Sequence, residues 1–393
     1  MKYLFVFFTL AIILVGCSKE GSHMGKDNVT VYDIDYTRND TYFWDEYFEY
    51  SHHVVLETND ESLFKEITKL IIKNNRIHIL CGSMNKVIIF DIEGNFIGSF
   101  CHYGEGPGEY LSAVDININN DDNIEVLDKL LSNINIYTLM GEFIGTKKAI
   151  AADAFLRVDG NCYIFNRNNF RGQIDETQPF NFLCMQSDSI FIKDLPYVQP
   201  MAGRVFRYGE GNSLIYPYNG GISIPHNDTL YTFDIENYKL NRSLVFNFRI
   251  KRPDNYMSPK QIEDYLRRSY SGEIPSSLYG LQMLGDYIFG IFNYEKKVKH
   301  VLISTVDGKS TVSFPVLGKD RIPIIPISHT SDQIKDNFII TVLPSFFVKY
   351  NKTIQKNSFL SIIEKKLENE ECNLSLIFYK LKNTPIHIEM GND

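Results

Sequence analysis

The sequence predicts an all-β fold, a six-bladed β-propeller with four-stranded blades. Three observations predict it: an internal repeat, four short strands within each repeat, and a spare strand ahead of the first repeat that completes the last. The repeat is clearest between "KVIIFDIEGNFIGSF" (Lys86 to Phe100) and "NINIYTLMGEFIGTK" (Asn133 to Lys147). Phe90 falls on Tyr137, Gly94 on Gly141, and the "FIG" at Phe96 on the "FIG" at Phe143, all at one offset of 47 residues. Upstream, "RIHIL" from Arg76 falls on "NIEVL" from Asn123 at the same offset. In the first unit the runs "KLII", "RIHIL", "KVIIFD" and "NFIGSF" are short, apolar and separated by Gly, Asn and Asp, the pattern of strands joined by turns. Such a unit cannot bury its apolar faces alone and must stack on its neighbours.

The other blades follow in chain order. "FLRVDG", "NCYIFNR", "FNFLCMQ" and "SIFIKDL" form the third; "RVFRYG", "SLIYPY", "DTLYTFD" and "RSLVFNF" the fourth; "LYGLQML", "YIFGIFN", "KHVLIST" and "STVSFPV" the fifth. The sixth begins near "PISHT" and "NFIITVL", is interrupted, and ends with "LSLIFYKLK", one strand short. The run "HVVLET" (His53 to Thr58) supplies the missing outer strand, so N- and C-terminal strands close the ring and remove exposed edges.

Helical patterns interrupt the strands. "SPKQIEDYLRRSY" (Ser258 to Tyr270) opens with Ser as N-cap, Pro at the first helical position and Gln261 three residues on, a capping-box start. Ile262, Tyr265 and Leu266 make its apolar stripe. A second helical run extends roughly from Ser345 to Glu371, and "TYFWDEYFEY" (Thr41 to Tyr50) is a third, shorter one that holds the only tryptophan, Trp44. In an up-and-down blade, outer-to-inner links and second-to-third links emerge on the same face. The two longer helical insertions and the stretch "GEGPGEY" (Gly104 to Tyr110) therefore share one face.

Ahead of the blades, "MKYLFVFFTLAIILVGC" has a positive Lys2, an apolar run from Tyr3 to Val15 that is short for a membrane span, and Gly16–Cys17. The end of this segment resembles the bacterial lipobox, which implies diacylation of Cys17 as the mature N-terminus. The alternative is an ordinary signal peptide with a chance cysteine. Ser18 after the cysteine implies, by the same resemblance, an outer-membrane lipoprotein, facing the periplasm or displayed on the surface. The organisation expected is thus 1–17 signal peptide and lipobox, 18–52 tether and N-terminal extension, 53–382 propeller, and 383–393 tail. "GSHM" (Gly21 to Met24) resembles a cloning scar and contributes nothing to the predicted fold.

A hydrophobic content of 44% suffices for a core. A formal net charge of −8 with no basic block excludes a nucleic-acid partner, which needs a cationic footprint. Beyond Cys17, five scattered cysteines (Cys81, Cys101, Cys162, Cys184, Cys372) lack the spacing of a zinc site or a disulfide framework. Four of them, in "IHILC", "GSFC", "NCYIF" and "FLCMQ", sit in or beside apolar runs, where a buried thiol behaves as a small hydrophobe.

"GEGPGEY" is not a P-loop, since no Lys-Ser/Thr follows, and it lacks the spacing of a dinucleotide fingerprint. Its glycines and proline suit a tight corner from the outer strand of blade one to the inner strand of blade two. The chain resembles the six-bladed β-propeller lipoproteins of Gram-negative gut anaerobes, largely known as domains of unknown function. The matching parts are the lipobox, "VVLETNDESLFKEI", "VIIFDIEGNFIGSF" followed by "GEGPGEY", the helical insertion before the last strand, and the terminal "LIFYKLK". That family pattern has a basic residue where Glu105 stands. The resemblance implies a secreted, membrane-anchored propeller and no particular activity.

The face bearing the insertions is the expected binding surface, with Glu109 and Tyr110 from the corner and Arg171, Arg204 and His226 from other links on that face. No HExxH, HxH or G-x-S-x-G motif occurs, so no catalytic residue is assigned and no cofactor is expected. The preferred function is a non-catalytic binding or scaffolding module, held to the membrane through its lipid, for a glycan, peptide or protein partner. The alternative is a calcium-assisted hydrolase or lyase with its site at the channel mouth. Asp115, Asp128 and Asn133 are the residues to ask first for such a site, although Asp and Asn at strand ends are ordinarily turn formers.

Overall fold

Runs such as Val87–Phe90 and Ile77–Cys81 are buried along their whole length, because the central strands of each blade are covered on both faces. The computed structural model describes residues 22–24, 29–40, 43–168, 179–197, 215–218, 221–317, 322–327, 329–331, 338–344, 363 and 372–382. Their strands form six small, mainly antiparallel sheets in a ring, a β-propeller.

Blade one comprises Lys69–Lys73, Arg76–Cys81, Lys86–Asp91 and Phe96–Phe100; blade two comprises Ala113–Ile118, Ile124–Asp128, Asn133–Tyr137 and Phe143–Lys148. Blade three is Ala154–Asp159, Cys162–Asn166, Phe180–Gln186 and Ser189–Pro196. Blade four is Tyr216–Tyr218, Gly221–His226, Thr229–Asp234 and Lys239–Asn247. Blade five is Tyr279–Leu284, Tyr287–Tyr294, Lys297–Ser304 and Ser310–Ser313. Blade six takes Pro326–Ile327, Phe338–Leu343 and Ser375–Leu381 from the C-terminal part, and Phe48–Val55 from the N-terminal part.

An apolar cluster fills the gap between each pair of consecutive sheets. Val87 and Ile89 meet Ile116 and Val126 between blades one and two; Ile134 meets Phe155 and Phe165 between two and three. Phe182 and Phe233 join three and four, Leu230 and Ile288 four and five, Phe289 and Ile377 five and six. Ile340 and Phe378 of blade six pack with Ile72 and Ile79 of blade one. The inner part of blade six also reaches across, since His329–Ser331 pairs in parallel with Lys69–Lys73.

Four expectations need correction. The strand completing blade six is Phe48–Val55, not His53–Thr58. Its alternation is weak because this edge strand leaves Glu49–His52 exposed, so the sequence does not mark it as apolar. After it, Asn373 donates to the carbonyls of Glu57 (2.8 Å) and Ser62 (3.1 Å), pinning the turn that the sequence offered as strand. Second, the innermost described strand of blade four is Tyr216–Tyr218, followed by Gly221–His226. Gly221 and Pro225, residue types that ordinarily interrupt strands, disguise that second strand; "RVFRYG" lies outside the described residues.

Third, residues 29–40 and 43–52, expected in the tether and N-terminal extension, lie on the propeller. Thr30–Asp33 runs parallel to Lys239–Asn247 at the outer edge of blade four, and Ser22–Met24 pairs with it in turn. The arm then crosses blade five: Lys299 donates to the carbonyls of Tyr36 (3.1 Å) and Arg38 (2.8 Å), and Asp40 and Val312 exchange hydrogen bonds. Helix α1 (Phe43–Tyr47) wedges Trp44 between blades five and six, against Phe48, Phe289, His300 and Tyr379. Fourth, "GSHM", left out of the fold by its likeness to a scar, supplies that added strand Ser22–Met24. The helix expected over 345–371 falls outside the described residues except for Ile363, which is helical and buried among blades five and six. Residues 1–17 and 383–393 also lie outside them.

Candidate functional site

The corner Gly104–Tyr110 is held from within and from both sides. Inside it, Glu109 N–H donates to the Gly106 carbonyl (2.9 Å), while the Glu109 carboxylate accepts from Gly106 N–H (2.8 Å). Toward blade one, the Tyr110 hydroxyl donates to the Asn85 carbonyl (2.9 Å). Toward blade two, the Gly108 carbonyl accepts from the Tyr137 hydroxyl (2.9 Å), and the Glu109 carbonyl from Asn135 Nδ2 (2.8 Å). Gly108 has φ +74°, and a Cβ there would stand 2.6 Å from the Phe143 ring, so only glycine fits. The segment is therefore a rigid wedge between two blades.

This geometry separates the two corner residues named from sequence. Tyr110 is fully buried core, and burial pushes its phenol pKa up. Glu109 is half-buried and spends its carboxylate on the turn. The exposed groups are their neighbours. Tyr103 is 66% exposed, Met140 64%, Ile144 52% and Phe143 42%, an unusual concentration of apolar surface on one sector. His102 ties these two stretches together through its Nε2, 2.8 Å from the Gly141 carbonyl. Glu105 and Glu142 are exposed beside them. The sequence carried one faint signal for this surface: the outer strand Phe143–Lys148 keeps apolar residues where an edge strand is usually polar.

His226 closes the second strand of blade four and is half-buried, not displayed. Arg171 and Arg204 lie outside the described residues. Two of the three groups offered for calcium, Asp115 and Asp128, serve the scaffold. Asp115 sits 3.2 Å from Lys69 Nζ and accepts from the N–H groups of Phe155 (2.9 Å) and Ile116 (3.0 Å), tying the inner strands of blades one, two and three. Burial raises its pKa, against the pull of Lys69. Asp128 accepts from the N–H groups of Leu111 (2.7 Å), Leu130 (2.8 Å) and Leu131 (3.1 Å) and is a turn former. Asn133 stands opposite Asp128 in the strand register. Glu125, fully buried, accepts from Arg157 (3.2 Å), Tyr163 (3.0 Å) and Asn117 (3.3 Å). Among the described residues no group of three or more His, Cys, Asp or Glu is placed to hold a metal.

Two buried histidines, His78 and His300, and the half-buried His329 are expected to give the scaffold a pH dependence. Desolvation lowers His78 and His329 to about 4 and His300 to about 3, against 6.5 for the free side chain. Each folded-state pKa lies below its unfolded value, so the unfolded chain binds more protons as pH falls below 6.5. Their contribution is complete above pH 6.5 and is lost as pH drops toward 4. Urea midpoints are expected to fall steeply between pH 6.5 and 4, and His300→Phe, whose ring lies against Trp44 and Phe289, is expected to flatten that slope. An equal slope in the variant would refute the assignment to His300.

The second elaborated sector is helix α2 (Pro259–Ser271), inserted between blades four and five. Its capping box is present: Ser258 Oγ accepts from Gln261 N–H, and Gln261 Oε1 accepts from Ser258 N–H (2.8 Å). Ile262 and Leu266 are buried as the stripe requires. Arg252 fastens the insertion. It pairs with both carboxylate oxygens of Asp228, donates to the carbonyls of Pro275 (2.6 Å) and Ser276 (2.9 Å), and reaches the Tyr265 hydroxyl (3.3 Å). Sequence reasoning missed this pair because its members are 24 residues apart and belong to no motif. Beside the helix lies a cleft of about 510 Å³ lined by Arg249, Lys251, Lys260, Arg268 and one carboxylate, Asp264, among others. No described helix is long and apolar enough to cross a membrane.

A family profile described as "Domain of unknown function (DUF4934)" matches residues 29–380. Among solved structures, an exported protein from Bacteroides fragilis is similar at 16% identity, covering 90% of this chain and 99% of its own, with a TM-score of 0.69. A member of the DUF4221 family from Bacteroides vulgatus is similar at 10% identity, over 85% of this chain and 97% of its own, with a TM-score of 0.50. These likenesses extend to the fold. No curated protein matches the sequence.

Proposed function

The chain belongs to the DUF4934 family, a domain of unknown function, and we propose that it is a lipid-anchored, extracytoplasmic binding or scaffolding module. It takes a glycan, peptide or protein partner without converting it. The observation that carries this reading is the surface around the corner: exposed Tyr103, Met140, Phe143 and Ile144 beside a wedge fixed by hydrogen bonds to two blades. A rigid platform with exposed aromatic and apolar side chains can bind without paying for loop ordering. Two of the residues to ask first for a calcium site, Asp115 and Asp128, and the buried Glu125 are engaged by Lys69, Arg157 and backbone N–H groups. Anchoring through Cys17 at the outer membrane follows from the lipobox likeness, and the description of the Bacteroides fragilis neighbour as exported agrees with it.

The test compares wild type with Tyr103→Ala/Met140→Ala on glycan arrays and in quantitative pull-downs from envelope extracts. Both side chains are exposed, so the variant is expected to melt with wild type. It is expected to lose about tenfold or more in affinity for whatever wild type retains, the usual effect of removing two central contacts. Undiminished binding by a folded variant would move the site elsewhere.

A further inference from the structure

We infer that the cleft beside helix α2 docks on the anionic headgroups of the membrane that holds Cys17. The inference rests on the anchored reading above and adds an orientation to it. Strand register places the chain's entry next to this cleft. Ser22 lies opposite Tyr32, and Tyr32 opposite Phe246 in the outer strand of blade four. That strand ends at Asn247 and leads directly to Arg249 at the cleft, whose guanidinium comes within 4.0 Å of Asp33 in the entering arm.

Ser22 is five chain steps from Cys17, a reach of about 18 Å at most at ~3.6 Å per residue. Counted instead from Val29, which is buried on the propeller, the reach is still only about 43 Å. An acylated Cys17 therefore keeps this end of blade four at the bilayer surface, and a short tether turns even a weak contact into a populated one.

The chemistry of the cleft suits that surface. Four cations and one carboxylate line it in a chain whose net charge is −8. Lys260 is exposed, and Lys251 and Arg268 meet Asp254 (3.4 Å) and Glu273 (3.7 Å) only in open, solvent-exposed pairs. Clustered Lys and Arg are drawn to anionic lipid within a Debye length. Tyr256, just ahead of the helix, is 95% exposed, and Tyr270, in its last turn, is 70% exposed. Tyrosine with an apolar ring and a polar tip is the residue of the membrane–water boundary.

The test uses the full chain, expressed with its own signal segment and reconstituted into phosphatidylcholine vesicles with or without phosphatidylglycerol. The mass of the N-terminal peptide reports acylation of Cys17 separately from docking. Hydrogen exchange over residues 249–274 is expected to slow about threefold or more with phosphatidylglycerol, and not in neutral vesicles. High salt and Arg249→Gln/Lys260→Gln/Arg268→Gln should each abolish the slowing, with exchange over the corner 101–112 unchanged. Equal exchange in the two vesicles, with Cys17 acylated, would overturn docking alone. A Cys17 without lipid would overturn the anchored reading and docking with it. The same slowing produced by inorganic phosphate without vesicles would assign the cleft to a free anion and overturn the membrane as its source.

Discussion

Arg252→Met is expected to destabilise the protein by about 3–5 kcal/mol, the cost of stranding one member of a buried ion pair. Arg252 and Asp228 are both nearly buried, and the guanidinium is the one group that meets the blade-four carboxylate, Tyr265 of the helix and the carbonyls of Pro275 and Ser276 together. Without it, Asp228 keeps a carboxyl that burial already drives toward its neutral form. Urea denaturation at pH 7 measures the loss. Adding Asp228→Asn to the variant should recover part of it, because the stranded charge is gone. A single-variant loss below about 1 kcal/mol would mean that the pair is not what fastens the insertion.

Trp44→Ala is expected to cost a similar amount, about 3–5 kcal/mol, the range for a large aromatic removed from a core. Trp44 is 1% exposed and touches Phe289 of blade five and Phe48 and Tyr379 of blade six. The N-terminal arm runs over blade four, blade five and into blade six, so losing this wedge should also loosen the strap. Limited proteolysis should then cut within residues 29–47 before it cuts any blade. A variant that melts with wild type and resists cleavage there would show that the arm is held by its hydrogen bonds alone.

The blades were legible because their chemistry is local. A 47-residue offset, alternating runs and Gly or Asn turns survive in the sequence whatever the tertiary context, and blades one, two, three and five follow them closely. The capping box at Ser258 was legible for the same reason. The arm was not, since Thr30–Asp33 gains its partner from Lys239–Asn247, more than 200 residues away. Phe48–Val55 likewise owes its strand to Ser375–Leu381. For the site, the corner was found by composition, but composition could not tell which tyrosine faces out. Tyr110 turns inward to the Asn85 carbonyl and Tyr103 does not, a difference set by the fold of both blades around them. Asp115 looked like a ligand because Lys69, its partner, stands on another blade.

The most direct test of binding against metal-assisted hydrolysis is divalent-metal analysis of the purified full chain, with its melting temperature before and after chelation. With Asp115 on Lys69 and Asp128 on backbone N–H groups, the expected result is no stoichiometric metal and an unchanged melting temperature. A stoichiometric divalent ion whose removal lowers the melting temperature would contradict it and place a metal centre in the ring.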